Sequence, residues 1–512
     1  MRDRVHAVSG AGVLKAVAQL ALVACLAAAG GCATFDPVAA GRESDDSTVQ
    51  ECVAWYRALD AAVDAAGVRD AQAARVKGFP YMRVDRFTAS LRDTARLQES
   101  ALLAFAERLV DLDIEGRKHE IANLPRVSLK AAWQGLGEPD VATSIEQTRE
   151  CGLRMLAFDL DASKSGEALL ERVSVPDDYV TAFRVLGLYE LSKIAFSIGV
   201  RKLAGETESA FARDLEATSK GTVVRFSPSA RPRVGRERVR DILERAADNP
   251  LRIPVPTEEE LETLFALYAP SFEIETTGDF DRPGAVRWRW GGTPEVDAAD
   301  PAVYRHASHT RYQGRNLLQL VYTIWFSERP PASPSDLLSG ALDGVVFRVT
   351  LAPDGTPVVY DTIHPCGCYH MFFPTPRAVP RPAPDGEPEW ALIPQKLRAI
   401  EVSDRLVVRI ASGTHYVERV YRDRDDSLAR YDLRPYDELR SLRRMLGDSR
   451  SVFGPDGIIA GTQRKERFLF WPMGIENAGA MRQWGRHATA FVGRRHFDDA
   501  DLLERRFVLD LR

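Results

Sequence analysis

The sequence predicts an α+β protein in which an N-terminal helical domain is followed by a mainly antiparallel β-sheet domain with a few helices. Three observations predict this class. Apolar residues recur at helical spacing through much of residues 48–220. From about residue 265 onward, short runs of alternating residues are separated by turn-forming residues. The composition, 45% hydrophobic and 28% charged, is that of an ordinary globular protein.

The same change of pattern predicts the domain organisation. We expect a helical domain over 48–220, a linker with short helices over 221–264, and a β-rich domain over 265–512. The linker holds five arginines between residues 231 and 240, interrupted by proline and glycine. Such a broken run of charge is typical of a solvated connection.

Three helices are predicted in the first part of the helical domain. Residues 48–66 carry Cys52 on their apolar face, and Gly67 supplies a stop. Apolar residues between 91 and 112 recur at alternating steps of four and three, which predicts one long helix with a packing seam. A further helix is expected over 141–157.

A long apolar segment lies at residues 179–203. It contains Arg184, Glu190 and Lys193, and its uncharged runs are short, so we do not expect it to span a bilayer. The favoured interpretation is a helix that packs against the core. A helix lying on a membrane surface is the alternative that this sequence leaves open.

Two short helices are expected before the sheet, over 237–247 and from Thr257 to about Tyr268. The second has a capping-box start, with Thr257 at the cap and Glu260 three residues later.

The β-rich half is predicted from alternation and turn signals. We expect hairpin turns at 313–316 and 352–355, and a helix over 436–446. The predicted strands are 303–312, 317–326, 345–351, 358–363, 406–410, 415–421 and 467–470.

The N-terminus has the pattern of a targeting segment. Basic residues precede an apolar run from 16 to 29, which is too short for an ordinary membrane span. Small residues then lead to Cys32. This stretch resembles the lipobox of bacterial lipoproteins. The resemblance implies that residues 1–31 are a signal peptide and that Cys32 is acylated, and acylation anchors a chain stably when two or more acyl chains are attached.

The lipobox resemblance also implies a location in the cell. Ala33 after the acylated cysteine is typical of outer-membrane lipoproteins that face the periplasm. Residues 32–47 then read as a flexible tether. The membrane is therefore the expected partner, and envelope proteins or polysaccharide are further candidates. Nucleic acid is not expected, because the formal net charge is −5.

Six cysteines occur, of which Cys25 lies in the predicted signal peptide and Cys32 would carry lipid, so four remain. Cys52, Cys151, Cys366 and Cys368 form an even set, which favours disulfides in an exported protein. The simplest pairing joins Cys52 to Cys151 and Cys366 to Cys368. The alternative is that the first two are buried free thiols.

The candidate site is the run from His364 to His370, which contains Cys366 and Cys368. On a regular strand these side chains would lie too far apart to share one ion. Pro365 and Gly367 interrupt the strand pattern and predict a turn. Such a turn would bring the two sulfurs together. Two imidazoles and two thiolates suit zinc or copper.

Two other interpretations of this run stay open. The two cysteines could form a thiol–disulfide redox pair, or a structural disulfide that braces the turn. His306, His309 and His415 are candidates for additional metal ligands. The sequence lacks the common signatures of hydrolases, kinases and dehydrogenases, so it leaves open whether the protein is an enzyme.

Overall fold

A computed structural model describes residues 46–133, 140–161, 165–215, 221–400, 404–423 and 429–512. The predicted signal peptide, the predicted lipidation site Cys32 and the predicted tether up to residue 45 lie outside the described residues. The described residues from 46 to 512 form one compact unit. The domain boundaries at residues 220 and 265 stay a prediction from the sequence.

The helices are α1 (Ser47–Ala66), α2 (Arg86–Ser90), α3 (Arg92–Ala95), α4 (Glu99–Asn123), α5 (Arg126–Ala132), α6 (Val141–Asp161), α7 (Ser165–Arg172), α8 (Thr181–Leu186), α9 (Tyr189–Ala212), α10 (Arg236–Ala246), α11 (Glu258–Tyr268), α12 (Arg467–Phe470) and α13 (Leu502–Arg506).

The strands are β1 (Ala74–Val76), β2 (Phe79–Val84), β3 (Thr222–Pro228), β4 (Ser271–Thr276), β5 (Ala285–Trp288), β6 (Pro294–Asp297), β7 (Ala302–Tyr312), β8 (Arg315–Arg329), β9 (Gly340–Leu351), β10 (Pro357–Ile363), β11 (Met371–Pro374), β12 (Ala378–Pro380), β13 (Leu406–Ile410), β14 (Val417–Arg422), β15 (Ala429–Pro435), β16 (Leu442–Arg443), β17 (Ser449–Arg450) and β18 (Phe507–Leu509).

The α+β class is confirmed. Ten strands form one large sheet in the order β11-β10-β9-β8-β7-β15-β3-β4-β13-β14. The run from β7 to β11 is antiparallel, as short hairpin connections require. Parallel pairs occur where β15 lies between β7 and β3, and where β13 pairs with β4.

The large sheet is curled, and one segment of the chain bridges its two edge strands. Leu392 pairs with Met371 of the edge strand β11. Three residues later, the Gln395 side chain bonds both backbone groups of Val420 in the opposite edge strand β14, with its Nε2 donating at 2.6 Å. The curl covers both edges and encloses the main apolar core.

The helical half has an apolar core of its own, to which α1, α4, α6 and the short strands β1 and β2 contribute. Buried ion pairs join this half to the sheet half. Arg440 donates to both carboxylate oxygens of Asp70 at 2.9 and 3.0 Å. Gln483 donates to the same carboxylate at 2.8 Å. Both charges are buried, so the loss of either partner leaves the other uncompensated.

Most predicted helices are present. The predicted capping box at Thr257 and Glu260 forms with both of its hydrogen bonds. The predicted seam over 91–112 is interrupted, because Gln98 adopts an extended conformation between α3 and α4. Gln98, which the predicted spacing places in the seam, is exposed at this break.

Three sequence predictions for residues after 220 are wrong. Residues 467–470 form the short helix α12 instead of a strand. Residues 436–441 form a 3-10 helix, and the chain then enters β16 instead of continuing as a helix to 446. Residues 222–228, expected in the linker, form β3 inside the large sheet, where neighbouring strands satisfy its backbone groups.

The helix expected over 179–203 is present as α8 and α9, but its predicted core packing is wrong. Phe211 is the buried residue of α9, and α8 has none. Apolar side chains such as Leu191 and Ile198 are exposed instead. Within the described ranges, no helix combines the length and the apolarity that crossing a membrane requires.

The predicted Cys52–Cys151 disulfide is confirmed. It joins α1 to α6, with the Cα atoms 5.1 Å apart, and spans a sequence separation of 99 residues. Both residues are buried at the edge of the helical core.

We expect the double substitution Cys52→Ala/Cys151→Ala to lower the free energy of unfolding by about 2–5 kcal/mol, because the unfolded chain regains the freedom of a long loop. Urea unfolding measures this change. Reductant should destabilise the wild-type protein and leave the double variant unchanged. An equal effect of reductant on both proteins would contradict the prediction.

Candidate functional site

The predicted turn forms immediately after β10. The Gly367 amide donates to the His364 carbonyl at 2.8 Å, and the His364 amide donates to the Cys368 carbonyl at 2.9 Å. Gly367 has φ +91°, and a Cβ there would collide with the backbone carbonyl of Ala488. Glycine is therefore required at this position for two independent reasons.

The turn brings the two cysteines together as free thiols. The Cys368 amide donates to Cys366 Sγ at 3.4 Å. A hydrogen bond from the Cys368 thiol to the Cys366 sulfur, together with burial, raises the pKa of Cys368 well above its usual range. The predicted disulfide between Cys366 and Cys368 is not present, and both cysteines are reduced.

The two histidines of the run contact carboxylates rather than the sulfurs. His370 Nε2 lies 2.9 Å from Asp361 Oδ2 on β10. Asp361 also accepts two hydrogen bonds from Arg348, its partner across the sheet on β9. Burial lowers the pKa of His370 to about 3, so its imidazole is neutral.

His364 belongs to a second buried network, centred on Asp343 of β9. His364 Nδ1 lies 3.4 Å from Asp343 Oδ1, and His415 Nδ1 lies 2.9 Å from Asp343 Oδ2. The other ring nitrogen of His415 lies 3.4 Å from Asp281 Oδ1. All four side chains are buried.

Charges alternate along this network. Burial alone would raise the pKa of Asp343, but His364 and His415 outweigh it and hold that pKa well below its usual range. Burial alone would lower the pKa of His415, but hydrogen bonds to Asp281 and Asp343 raise it. The two carboxylates therefore favour the imidazolium form of His415. Burial lowers the pKa of His364, which is neutral.

The additional ligands expected from the sequence do not reach the sulfurs. His306 packs against Tyr436 and Trp484, with ring centroids 5.6 and 4.9 Å apart. His309 Nε2 lies 2.8 Å from the Pro254 carbonyl oxygen. Over the residues that the structure describes, no three or more His, Cys, Asp and Glu side chains are grouped so that they could hold one ion.

A cavity of 290 Å³ opens beside the thiol pair. Residues 366–370 form one wall, and Val200, Leu203 and Ala204 of α9 lie across it. Most of the other lining side chains are small or apolar, and the polar ones among them are Glu208, Glu389, Thr489 and Arg495. A molecule or ion in this cavity would meet the thiols in largely apolar surroundings.

Two buried charged side chains act on the thiols electrostatically. Glu466 opposes ionisation of Cys368, and the guanidinium of Arg482 favours it. Burial raises the pKa of Glu466 itself to about 7. Glu466 can therefore change its protonation near neutral pH, close to the thiol pair.

Sequence reasoning missed the two carboxylates that hold the histidines. Asp343 and Asp361 each stand within an apolar strand sequence, Leu342 to Val346 and Val358 to Ile363. A carboxylate inside a buried strand needs a partner. A charged residue within an apolar strand was therefore the available signal for a buried network. The sequence did not reveal the partners, because they come from other parts of the chain.

We expect Asp343→Asn to lower the free energy of unfolding by about 3 kcal/mol or more, because it removes one of the two carboxylates that favour the charged form of buried His415. The raised pKa of His415 contributes stability below its ordinary value of 6.5, and this is lost as pH rises through the raised pKa. In the variant, this contribution to stability should be lost at a lower pH than in the wild-type protein. Urea unfolding at about pH 5, 7 and 9 measures both effects.

The matched control is Asp279→Asn, whose side chain is 98% exposed in the segment next to Asp281. Its stability should stay within about 0.5 kcal/mol of wild type. If Asp343→Asn behaves like this control at every pH, the network does not stabilise the fold.

Comparison of the chain with protein-family models, with curated proteins and with solved structures found no match. The chemistry of the site itself is therefore the basis for the proposal that follows.

Proposed function

We propose that this protein is a lipid-anchored protein of the cell envelope that binds a copper ion, in the Cu(I) state, through the thiols of Cys366 and Cys368. The observation that carries the proposal is the pairing of two reduced thiols at one wall of a mostly apolar cavity. Zinc or copper is the metal that the residue types of the run favour.

The choice of ligands follows from the contacts of the four candidate side chains. His370 is committed to Asp361, and His364 to Asp343. The two sulfurs carry no such obligation and lie in the same turn. The remaining ring nitrogens, His364 Nε2 and His370 Nδ1, are buried without a hydrogen-bond partner, but among the described residues neither is grouped with both sulfurs so that three or more side chains could hold one ion.

Copper is preferred to zinc because of the number of ligands. A structural zinc ion takes four ligands in tetrahedral geometry, and a catalytic one takes three from the protein. Cu(I) is a soft ion that favours sulfur ligands. A pair of thiols in an apolar cavity suits it better than it suits zinc.

The envelope location rests on the sequence alone. The basic residues, the apolar run and the small residues before Cys32 support export and lipid attachment. The Cys52–Cys151 disulfide is compatible with an oxidising compartment. Under this proposal the copper site belongs to an outer-membrane lipoprotein that faces the periplasm.

We expect the reduced protein to bind about one equivalent of Cu(I) under anaerobic conditions and to release protons as it binds, because a thiol must lose its proton to become a metal ligand. Competition against a chromogenic Cu(I) chelator measures the affinity. Cys366→Ser and Cys368→Ser should each weaken binding at least about 100-fold.

Ala391→Ser is the matched control, since it adds a hydroxyl to the wall of the same cavity and leaves both sulfurs in place. Its affinity should stay within about threefold of wild type. Binding below about 0.2 equivalents, or binding that survives loss of either cysteine, would overturn the copper proposal.

A dithiol–disulfide role is the second candidate, and the contact between the two reduced thiols favours it. In that reaction a disulfide of a partner protein is reduced to two thiols while Cys366 and Cys368 become a disulfide. The raised pKa of Cys368 opposes this role, because the attacking species is a thiolate. Fast formation of the bond with a disulfide reagent, and failure to bind Cu(I), would favour it over copper.

A further inference from the structure

The helices α8 and α9 carry an exposed apolar ridge on the surface of the protein. The ridge comprises Leu186, Leu188, Leu191, Ile194 and Ile198, together with Phe468 of α12. These six side chains are 59–74% exposed. Isolated exposed apolar residues are ordinary, but a continuous set of this kind marks an interaction surface.

The ridge is held in place from its inner side. Phe183 packs edge-on against Trp471, with ring centroids 6.1 Å apart, and Phe196 packs against Phe470 at 5.5 Å. Arg184 donates from Nε to the Met473 carbonyl at 2.8 Å. The outward side chains are therefore presented by anchored helices.

The charge around the ridge is positive, although the chain as a whole is negative. Residues 189–202 of α9 contain Lys193, Arg201 and Lys202 but one acid, Glu190. Arg467 lies beside the ridge, over the ring of Phe468. The formal net charge of the whole protein is −5. This local excess complements an anionic surface.

We propose that the apolar ridge inserts into the interfacial layer of an anionic phospholipid bilayer, with α9 lying flat on the membrane. Large aliphatic and aromatic side chains that project from a helix, flanked by basic residues, have the chemistry of interfacial helices. This inference goes beyond the copper site and does not depend on it. Because Val200 and Leu203 of the same helix line the thiol cavity, it also places that cavity near the lipid surface.

The experiment uses the full chain with vesicles of phosphatidylglycerol and phosphatidylethanolamine. Hydrogen–deuterium exchange in peptides covering residues 183–200 and 466–473 should slow at least about tenfold when vesicles are added, because insertion suppresses local opening. Vesicles of phosphatidylcholine should protect the same peptides less, since they lack anionic headgroups.

The variant Leu191→Ser/Ile194→Ser/Ile198→Ser should lower the vesicle partition coefficient at least about tenfold, because it removes apolar area that the bilayer would bury. All three positions are exposed, so the fold should persist, and an unchanged thermal midpoint confirms this. Every variant shares the same N-terminus, so differences report on the ridge.

The matched control is Leu97→Ser/Val127→Ser/Leu446→Ser, which removes three aliphatic side chains that are 76–85% exposed outside the ridge. Its partition coefficient should stay within about twofold of wild type. Equal partitioning of the ridge variant and wild type overturns the proposal. So does protection of the ridge that follows protein concentration rather than vesicles, since a second copy of the chain would then cover it.

Discussion

Asp343 is the buried charge on which the arrangement around the site depends. It stands on β9 and holds His364 from the turn after β10 and His415 from the loop between β13 and β14. β9 and β10 are adjacent, but β13 and β14 lie at the other end of the sheet order, and the curl of the sheet brings the two ends together. A carboxylate without these partners would be costly at this depth. The network therefore favours the curled sheet over a flatter one.

The cysteine pair is a consequence of the same arrangement. With His364 tied to Asp343 and His370 tied to Asp361, the turn between them has its two ends fixed to the sheet. The sulfurs are left to face each other and the cavity. The histidines thus shape the site without contacting the sulfurs, which explains why four close ligand residues reduce to a pair of thiols in the proposed function.

Much of the fold was predictable because its signals are local. The capping box at Thr257, the stop at Gly67 and the alternation of β7 to β10 each depend on neighbouring residues, and each formed as expected. The failures lie where distant partners decide. Residues 467–470 have strand-forming side chains, yet no neighbouring strand pairs with them among the described residues, and they form a helical turn. The apolar pattern of 179–203 indicated a helix but could not indicate which surface would cover it.

The sequence by itself determined most helices and hairpins and the tight turn at Pro365 and Gly367, because local backbone preferences specify them. Its even cysteine count favoured the Cys52–Cys151 disulfide without excluding free thiols. The cell-envelope location stays a prediction from the lipobox resemblance. The tertiary structure alone decided that Asp343 and Asp361 take the histidines, that the thiols line a cavity, and that α9 exposes its apolar face. Burial and ion pairing depend on residues that are distant in sequence, and a single chain read in order does not reveal which of them meet.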